Sequence, residues 1–432
     1  MKYTIPKGLF DIVPHESKEE DLWRSSEKWQ YVEGVLRSIS SSYGFKEIRT
    51  PIFENTDLFI RSVGESSDIV SKEMYTFHDK SDRSMTLRPE GTAAALRAYC
   101  EKKLYQAPGC SKLYYIGPMF RYERPQAGRY RQHHQFGAEA LGIGSPEQDV
   151  EMIDFLLAIY RKLGLHNLTV HLNSVGDEVT RSRYREALHQ FLLPHFDHLS
   201  EESQVRFSKN ILRILDSKSL EDKEILKGAP SILDFLSEEA KEHFEKVKAL
   251  LTSLKIPFLI DHKLVRGLDY YNKTVFEIIS HGLGAQNTIG AGGRYDGLLE
   301  SIGGPALPSV GFATGLERVL QTMHKEKAPF PETPHLDLFF IPMGKEAREA
   351  CFKEVTTLRH LGWKVDLDLS GKKIQHGLQL ANSLNAPFCI IVGDDELKSS
   401  SLEIKDMKNR SSSLISWSEI ASFLTHHIAE QS

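Results

Sequence analysis

The fold is indicated most clearly by residues 111–141, SKLYYIGPMFRYERPQAGRYRQHHQFGAEAL. This segment contains two apolar, strand-like runs that are joined by a loop rich in arginine. Within it, residues 121–131 hold four arginines against a single acid, Glu123, which gives a local charge of +3 in a chain whose formal net charge is −5. A cationic hairpin on an acidic protein is typical of a site for a bound polyanion.

Length and composition limit the classes of protein to consider. A chain of 432 residues with 40% hydrophobic and 26% charged residues predicts two to three soluble globular domains. Its four cysteines show no C-x-x-C spacing, which disfavours a zinc site or a disulfide framework and favours a cytoplasmic location. No run of eighteen apolar residues is present, so no membrane span is expected. The acidic balance leaves nucleic-acid binding open, because such contacts can be confined to patches.

Changes of pattern along the chain predict its organisation. Residues 1–176 alternate strands and helices, whereas residues 177–255 are rich in Lys, Glu and Ser, are helical in period, and are interpreted as an inserted helical module. Strand patterns return over 256–325. Residues 326–335 contain three prolines and are predicted to be a linker. Residues 336–432 alternate β and α patterns, which predicts a separate small α/β domain with a mostly parallel sheet.

Individual elements follow from periodicity. Apolar spacing predicts amphipathic helices over 17–43 and 149–163. Residues 85–89 are strand-like, and the Gly91–Thr92 step is expected to open a helix. Residues 309–323 are expected to pass from a strand into a helix.

The side chains of the hairpin suit a nucleotide. Arg121 and Glu123 lie two apart on a strand, so both face the same side of the sheet. A guanidinium can fork onto phosphate oxygens, and a carboxylate can accept from the exocyclic amine of a base. Phe136 on the return strand offers a flat surface for stacking. The alternative is a salt bridge on a solvated face, which the three further arginines disfavour.

A second cluster lies in SVGFATGLERVL, residues 309–320. Gly311 and Gly315 permit close backbone approach, and Arg318 sits early on the following helix. Arg318 is interpreted as a second phosphate clamp; alternatively, Glu317 and Arg318 form only a pair on the helix surface.

The neighbouring histidines His133 and His134 should point to opposite faces of a strand, because side chains alternate there. We therefore expect no joint metal ligation by them, and predict no protein-bound metal site.

Several peptides of this sequence resemble the motifs of a known enzyme family. FRYE (120–123) and GLERVL (315–320) resemble motifs 2 and 3 of class II aminoacyl-tRNA synthetases, and RTPIFE (49–54) resembles motif 1, the dimer-interface element. Four further peptides resemble signatures of the histidyl-tRNA synthetase family: PKGLFDIVP (6–14), TLRPEGT (86–92), LVRGLDYYN (264–272) and AGGRYDGL (291–298). The resemblance covers nearly the whole chain, in order.

The resemblance implies an α+β fold: a class II catalytic domain with an antiparallel sheet, a helical insertion, and a C-terminal α/β anticodon-binding domain. It implies ATP-dependent attachment of L-histidine to histidine tRNA through histidyl-adenylate. Mg²⁺ would lie on the ATP phosphates, and the protein would be a cytoplasmic homodimer without a membrane partner.

The resemblance also assigns roles in ATP binding. Arg121 would hold the α-phosphate of ATP, and Arg266 would approach that phosphate from the opposite side, so that both are catalytic. Glu123 would read adenine and Phe136 would stack on it, while Arg318 would hold the far phosphates.

For the amino acid, the resemblance implies that Glu90 and Thr92 lie near the α-amine and Gln135 near the carboxylate. Glu139 and Tyr271 would bond the imidazole nitrogens, and Tyr270 would line the same wall. Two alternatives stay open: Glu90 and Thr92 cap the helix that starts there, and the tyrosine pair is strand-face packing.

Three glycines, Gly290, Gly292 and Gly293, would form a floor that excludes bulky side chains. For tRNA, Arg124, Arg129 and Arg131 of the loop would meet the acceptor stem. The helical insertion would lean on the acceptor arm, and the C-terminal domain would meet the anticodon.

Three other functions stay open for such a sequence. A non-catalytic synthetase paralogue that regulates histidine biosynthesis generally lacks the C-terminal domain and the catalytic arginines, whereas this chain keeps Arg121, Arg266 and Arg318. A class II synthetase for another amino acid is disfavoured by LVRGLDYYN. A simple RNA-binding protein would have no use for the pocket residues.

Overall fold

The computed structural model describes residues 3–64, 67, 69–122, 129–265, 270–282, 287–330 and 336–428. The chain divides into two compact units, residues 1–330 and residues 331–432. None of the helices in the described ranges combines the length and apolar composition that crossing a bilayer requires.

Most strands of the first unit form one large sheet. The strands are β1 (Lys46–Glu47), β2 (Phe53–Asn55), β3 (Tyr75–His78), β4 (Ser84–Leu87), β5 (Ser111–Phe120), β6 (Gln132–Leu141), β7 (Leu168–Ser174), β8 (Phe258–Ile260), β9 (Asn272–Ser280), β10 (Thr288–Arg294) and β11 (Ser309–Gly315). Eight of them follow the order β1-β5-β6-β11-β10-β9-β7-β8, while β2, β4 and β3 form a small separate sheet. Every pair in the large sheet is antiparallel except the two edge pairs, β1–β5 and β7–β8. The antiparallel sheet implied by the sequence is confirmed.

The helices of the first unit are α1 (Ser26–Ser42), α2 (Thr56–Val63), α3 (Thr92–Glu101), α4 (Pro146–Lys162), α5 (Glu178–Leu192), α6 (Glu201–Lys209), α7 (Leu220–Ile225), α8 (Glu238–Ser253), α9 (Leu298–Ser301) and α10 (Leu316–Glu326). Short 3-10 helices and one π-helical turn lie at Glu19–Arg24, Ile69–Glu73, Leu104–Gln106, Leu193–His198, Ile211–Asp216, Leu226–Gly228 and Ile232–Phe235. Everything regular between β7 and β8 is helical, so the predicted helical insertion is present in the fold. The predicted helix over 17–43 is instead two segments, because Ser25 is extended (φ −63°, ψ 134°).

The central hairpin has the register that its sequence predicts. β5 and β6 pair antiparallel from Ser111 opposite Leu141 to Phe120 opposite Gln132. One face of the sheet is covered by helices α1, α4, α8 and α10, whose apolar side chains form the main core with the inward residues of β6, β9 and β11. Part of the opposite face packs against a second apolar cluster that includes side chains of α3 and α5, and the rest carries the polar side chains of the cavity.

A buried ion pair joins the sheet to this helix layer. Arg294 of β10 is fully buried, and its Nε donates to Asp149 of α4 at 3.2 Å. His243 of α8 lies 3.3 Å from the same carboxylate. Burial alone would raise the pKa of Asp149, but the neighbouring His243 ring and the charge of Arg294 hold it below its ordinary value. A buried carboxylate needs such partners, since an unpaired charge is costly inside a protein.

The second unit is a five-stranded sheet with helices. Its elements are β12 (Leu338–Pro342), α11 (Lys345–His360), β13 (Val365–Leu367), α12 (Ile374–Ser383), β14 (Phe388–Val392), α13 (Asp394–Ser399), β15 (Ser401–Asp406), β16 (Ser412–Ser416) and α14 (Ile420–Ile428), with a 3-10 turn at Trp417–Glu419. The sheet order is β13-β12-β14-β15-β16, with two parallel and two antiparallel pairs. The prediction of a mostly parallel sheet is therefore wrong: β15 and β16 are joined by a short turn, and a tight turn can only pair strands antiparallel.

Candidate active site

A cavity of about 420 Å³ opens on the polar face of the large sheet, away from the helix layer. Its wall comes from strands β6, β9, β10 and β11, from the start of α3 and from the start of α10. The polar and aromatic side chains that line it are Glu90, Thr92, Arg121, Arg129, Tyr130, His133, Gln135, Glu139, Tyr270, Tyr271, Glu277, Thr288, Tyr295, Glu317 and Arg318. The hairpin and the strand–helix cluster singled out in the sequence therefore meet in one cavity.

Two arginines of the cavity are held by main-chain carbonyls. Arg121 follows directly on β5, and its Nε donates to the Pro89 carbonyl at 2.8 Å. Arg318 lies in the first turn of α10, and its Nη1 donates to the Thr288 carbonyl at 2.7 Å. A guanidinium carries five N–H donors in a planar fork, a geometry that matches the oxygens of a phosphate. The arrangement can bind phosphate oxygens from two sides.

His133 and His134 face opposite sides of β6, as the alternation predicts. His134 points to the helix layer, where its main-chain N–H donates to Glu317 at 2.8 Å and its ring meets Trp29 edge-on. His133 lines the cavity. Burial, together with the charge of Arg121, lowers the pKa of His133 to about 3, so its ring is neutral at ordinary pH. Glu317 is 3% exposed, which rules out the alternative of a pair on the helix surface.

The expected stacking role of Phe136 is wrong. Phe136 is completely buried on the helix-layer side of β6, where its ring packs against Phe155 at 6.1 Å and Phe312 at 5.8 Å. Side chains alternate along a strand, so Phe136 must point away from the face that carries Gln135 and Glu139. His133 shares their face and is the ring in this part of the cavity.

A second part of the cavity is lined by tyrosines around a buried carboxylate. The rings of Tyr270 and Tyr271 lie 4.6 Å apart, and Tyr270 meets Tyr295 edge-on at 5.3 Å. Tyr295 donates its hydroxyl to Oε2 of Glu139. Oε1 of Glu139 is buried and accepts no hydrogen bond from the described residues. Burial raises the pKa of Glu139 to about 8, which the bond from Tyr295 only partly offsets.

The position of Glu90 is compatible with both interpretations that the sequence left open. The Glu90 carboxylate accepts from the main-chain N–H groups of Thr92 at 2.7 Å and Ala93 at 2.8 Å, so it caps α3. Glu90 and Thr92 also line the cavity. Burial raises the pKa of Glu90, although these two hydrogen bonds oppose the rise. Gln135 is fixed beside them, because its side-chain oxygen accepts from the Gly91 N–H at 3.1 Å.

None of the three glycines of the predicted floor has room for a side chain. A Cβ on Gly290 would strike Tyr160 and one on Gly292 would strike Phe312, so both would point to the helix layer, although Gly290 itself lines the cavity. Gly293, with φ +158°, adjoins the Tyr271 ring. Gly311 has the sharper requirement: a Cβ there would collide with Glu139 and the Tyr295 hydroxyl. Gly311 therefore leaves the space that the Glu139 carboxylate and the Tyr295 hydroxyl occupy.

The two described arginines at the end of the loop, Arg129 and Arg131, lie in different surroundings. Arg129 lines the cavity, whereas the Arg131 guanidinium lies 4.3 Å from the Tyr122 ring centre, across the base of the loop. Three predicted site residues, Glu123, Arg124 and Arg266, lie outside the described residues.

Several lining residues were not predicted as site residues. Tyr295 and Tyr130 had no local signal, because their positions depend on which strands and loops meet. Tyr115 was also missed; its hydroxyl lies 3.4 Å from that of Thr92. His133 could have been found, since it shares the strand face of Gln135 and Glu139. Among the described residues, no group of three or more His, Cys, Asp or Glu side chains could hold a metal ion.

Comparisons with known proteins agree with this geometry. The family model described as histidyl-tRNA synthetase matches residues 19–319, and an anticodon binding domain model matches residues 337–427. A histidine–tRNA ligase from Protochlamydia amoebophila is 54% identical over 407 residues, covering 94% of this chain and 96% of that protein. Another from Geobacillus kaustophilus is 46% identical over 434 residues and covers both chains completely.

Solved structures give the same result. The crystal structure of apo S. aureus histidyl-tRNA synthetase matches with a TM-score of 0.83 and 40% identity, covering 98% of this chain and 100% of that one. Both units are therefore covered by relatives of one kind, and this chain belongs to the histidyl-tRNA synthetase family.

Proposed function

We propose that this protein attaches histidine to its tRNA in two steps, with histidyl-adenylate as the intermediate. The observation that carries the proposal is one cavity with two chemically different parts. Arg121, Arg318 and the neutral ring of His133 suit a nucleotide, and the buried carboxylate of Glu139 beside Tyr271 suits an imidazole. Membership of the histidyl-tRNA synthetase family supports the same function.

In the nucleotide part, Arg121 binds the α-phosphate of ATP, and Arg266 approaches it from the other side. Arg318 binds the far phosphates. Glu123 accepts from the adenine amine, and the His133 ring takes the stacking role that was first expected of Phe136. Every base offers a flat π-face, so a neutral imidazole is a suitable partner.

A magnesium ion would be bound mainly through the ATP phosphates. The Glu277 carboxylate lies in the cavity wall, where it accepts from Thr288 Oγ1 at 2.8 Å, next to the carbonyl that anchors Arg318. Mg²⁺ prefers carboxylate, phosphate and water oxygens, so these residues suit an ion that is bound mainly through the substrate.

In the amino-acid part, Glu90 and Thr92 receive the α-amine and Gln135 lies at the carboxylate. Oε1 of Glu139 accepts from one imidazole nitrogen, and the Tyr271 hydroxyl bonds the other. Tyr270 closes the same wall. Selectivity follows because a ring without these nitrogens would leave buried polar groups unpaired, which is costly.

The first step joins a histidine carboxylate oxygen to the α-phosphorus and breaks the bond from that phosphorus to the pyrophosphate oxygen. Arg121 and Arg266 stabilise the negative charge that develops on the α-phosphate. In the second step the 3′-terminal ribose hydroxyl of the tRNA attacks the adenylate carbonyl, and AMP leaves. A phosphate oxygen of the adenylate takes the hydroxyl proton.

We place the tRNA on three surfaces. Arg124, Arg129 and Arg131 meet the acceptor stem, although Arg129 also reaches the cavity. The helical insertion leans on the acceptor arm. The second unit, which matches the anticodon binding domain model, binds the anticodon. The protein is a cytoplasmic homodimer, and residues 49–54 lie in the dimer interface.

The test is ATP–pyrophosphate exchange with each amino acid in turn. Histidine alone should support exchange. Exchange with a different amino acid, or none with any, would refute the proposal, and the second outcome is the one expected of a non-catalytic regulatory paralogue. A chain that ends at Phe330 should keep most of the exchange and lose tRNA charging, because residues 1–330 form a compact unit with their own core.

A further inference from the structure

The opening peptide of the chain, PKGLFDIVP, has no role in the function proposed so far. The structure brings part of it against the residues that follow the cationic loop. The Arg131 N–H donates to the Gly8 carbonyl at 2.8 Å. The Phe10 ring meets the Tyr130 ring edge-on, with centroids 4.9 Å apart. Residues 8–10 therefore add both a main-chain bond and a ring contact to the end of the loop.

Tyr130 is enclosed on three sides. Its ring lies 6.0 Å from that of Trp23, which is 3% exposed, and its hydroxyl accepts from the Gln321 side chain at 3.0 Å. Phe10 is itself held in place, because Trp23 meets it edge-on at 5.2 Å and the Arg24 guanidinium lies 5.1 Å from its ring centre. Burial raises the pKa of Tyr130.

This cluster touches the cavity at two points. Tyr130 and its neighbour Arg129 both line it. Gln321 lies three residues after Arg318 on α10, so the two side chains leave neighbouring positions on the same helix face. The cluster thus connects a loop residue of the cavity with the helix that carries the second phosphate-binding arginine.

We propose that Phe10 and Gln321 are positioning residues for ATP, which hold Tyr130, and with it Arg129, in place against the nucleotide. The inference rests on the proposed function of the same cavity. Neither side chain lines the cavity, so each acts through Tyr130. The histidine part is lined by other elements and should be insensitive to both.

The first experiment compares Phe10→Leu with a matched control, Phe235→Leu, in the full chain. Both phenylalanines are partly buried and contact a tyrosine ring; Phe235 lies 5.7 Å from Tyr184 in the helical insertion. In histidine-dependent exchange, Phe10→Leu should raise the KM for ATP about five-fold and leave the KM for histidine within about two-fold. The control should change neither. Equal rises in the KM for ATP and the KM for histidine would indicate a general loss of structure in the cavity and would overturn the proposal.

The second experiment is a double-mutant cycle of Gln321→Leu and Tyr130→Phe, which removes the two ends of one hydrogen bond. Each single variant should raise the KM for ATP, and the double variant should be no worse than the more severe single variant. If the double variant raises the KM for ATP by the product of the two single effects, Gln321 does not act through Tyr130. If Gln321→Leu leaves the KM for ATP unchanged, Gln321 is not a positioning residue.

The two failures can be told apart. If the proposed function is wrong, the wild-type chain itself shows no histidine-dependent exchange. If only the positioning role is wrong, the wild-type chain is active and Phe10→Leu keeps its affinity for ATP, which calorimetric titration with the nucleotide measures directly.

Discussion

Glu139→Gln tests the histidine part of the cavity most directly, because the change keeps the shape and removes the charge. In the wild-type chain Oε2 accepts from Tyr295, and Oε1 is the buried acceptor without a donor among the described residues. A glutamine amide has only one oxygen. It can accept from Tyr295 or from the imidazole, and its NH₂ group then faces the other donor.

The size of the effect follows from the type of hydrogen bond. A bond to an ionised carboxylate contributes about 1.5–3 kcal/mol, which corresponds to a loss of roughly 10- to 150-fold in kcat/KM for histidine. If Glu139 is protonated in the complex, the bond is neutral and contributes about 1 kcal/mol, or roughly five-fold. The pKa of about 8 in the free protein makes both protonation states of Glu139 accessible near neutral pH. The size of the loss in kcat/KM therefore tells which protonation state binds histidine.

The assay is histidine-dependent ATP–pyrophosphate exchange, with the KM for ATP as an internal control. Tyr295→Phe is the matched variant, since it removes only the hydroxyl that holds Oε2 and leaves the carboxylate. We expect it to lose less than Glu139→Gln. If Glu139→Gln changes kcat/KM for histidine by less than about three-fold, or if Tyr295→Phe is the more severe variant, then Glu139 does not contact the imidazole.

Three further predictions concern the stacking residue His133, the buried ion pair of Asp149, and the pH dependence of stability that Glu139 causes. His133→Phe should keep the KM for ATP within about two-fold and His133→Ala should raise it about ten-fold, because stacking needs a ring and not a charge. Asp149→Asn should lower the free energy of unfolding by about 3 kcal/mol in urea denaturation, because it removes the fully buried counter-ion of Arg294 and leaves only the partly exposed Asp296. Glu139→Gln should gain stability relative to wild type as the pH rises from about 5 to about 9, measured by urea denaturation. The sign follows because the folded-state pKa of Glu139 is raised from 4.5 to about 8, so its stabilising contribution is complete below 4.5 and is lost as the pH rises through about 8.

Local patterns were reliable where neighbouring residues alone decide geometry. The two runs of the hairpin pair as predicted, and α4 covers most of the predicted 149–163 segment. The alternation of a strand correctly separated His133 from His134. The same alternation would have excluded Phe136, which lies one residue from Gln135 and must therefore face the helix layer.

Local patterns failed to predict the structure where it depends on residues that are distant in the sequence. The second unit has alternating α and β segments, but β15 returns antiparallel to β14 after α13, and a short turn pairs β16 antiparallel to β15. Half of its strand pairs are therefore antiparallel. Likewise, no local feature marks Tyr130 as enclosed by Phe10, Trp23 and Gln321, residues from both ends of the first unit.

The linear sequence was sufficient for the family and for the antiparallel sheet, because these depend on motifs and on the two-residue period of strands. Most of the described residues that it proposed for the site line the cavity. Only the tertiary structure decided which side chains share the cavity. It placed His133 rather than Phe136 beside the arginines, Gly311 beneath Glu139, and Tyr295 on the carboxylate. The physical reason is that a buried polar group takes its charge and its partners from neighbours that are more than a hundred residues away in the chain, and only folding brings them together.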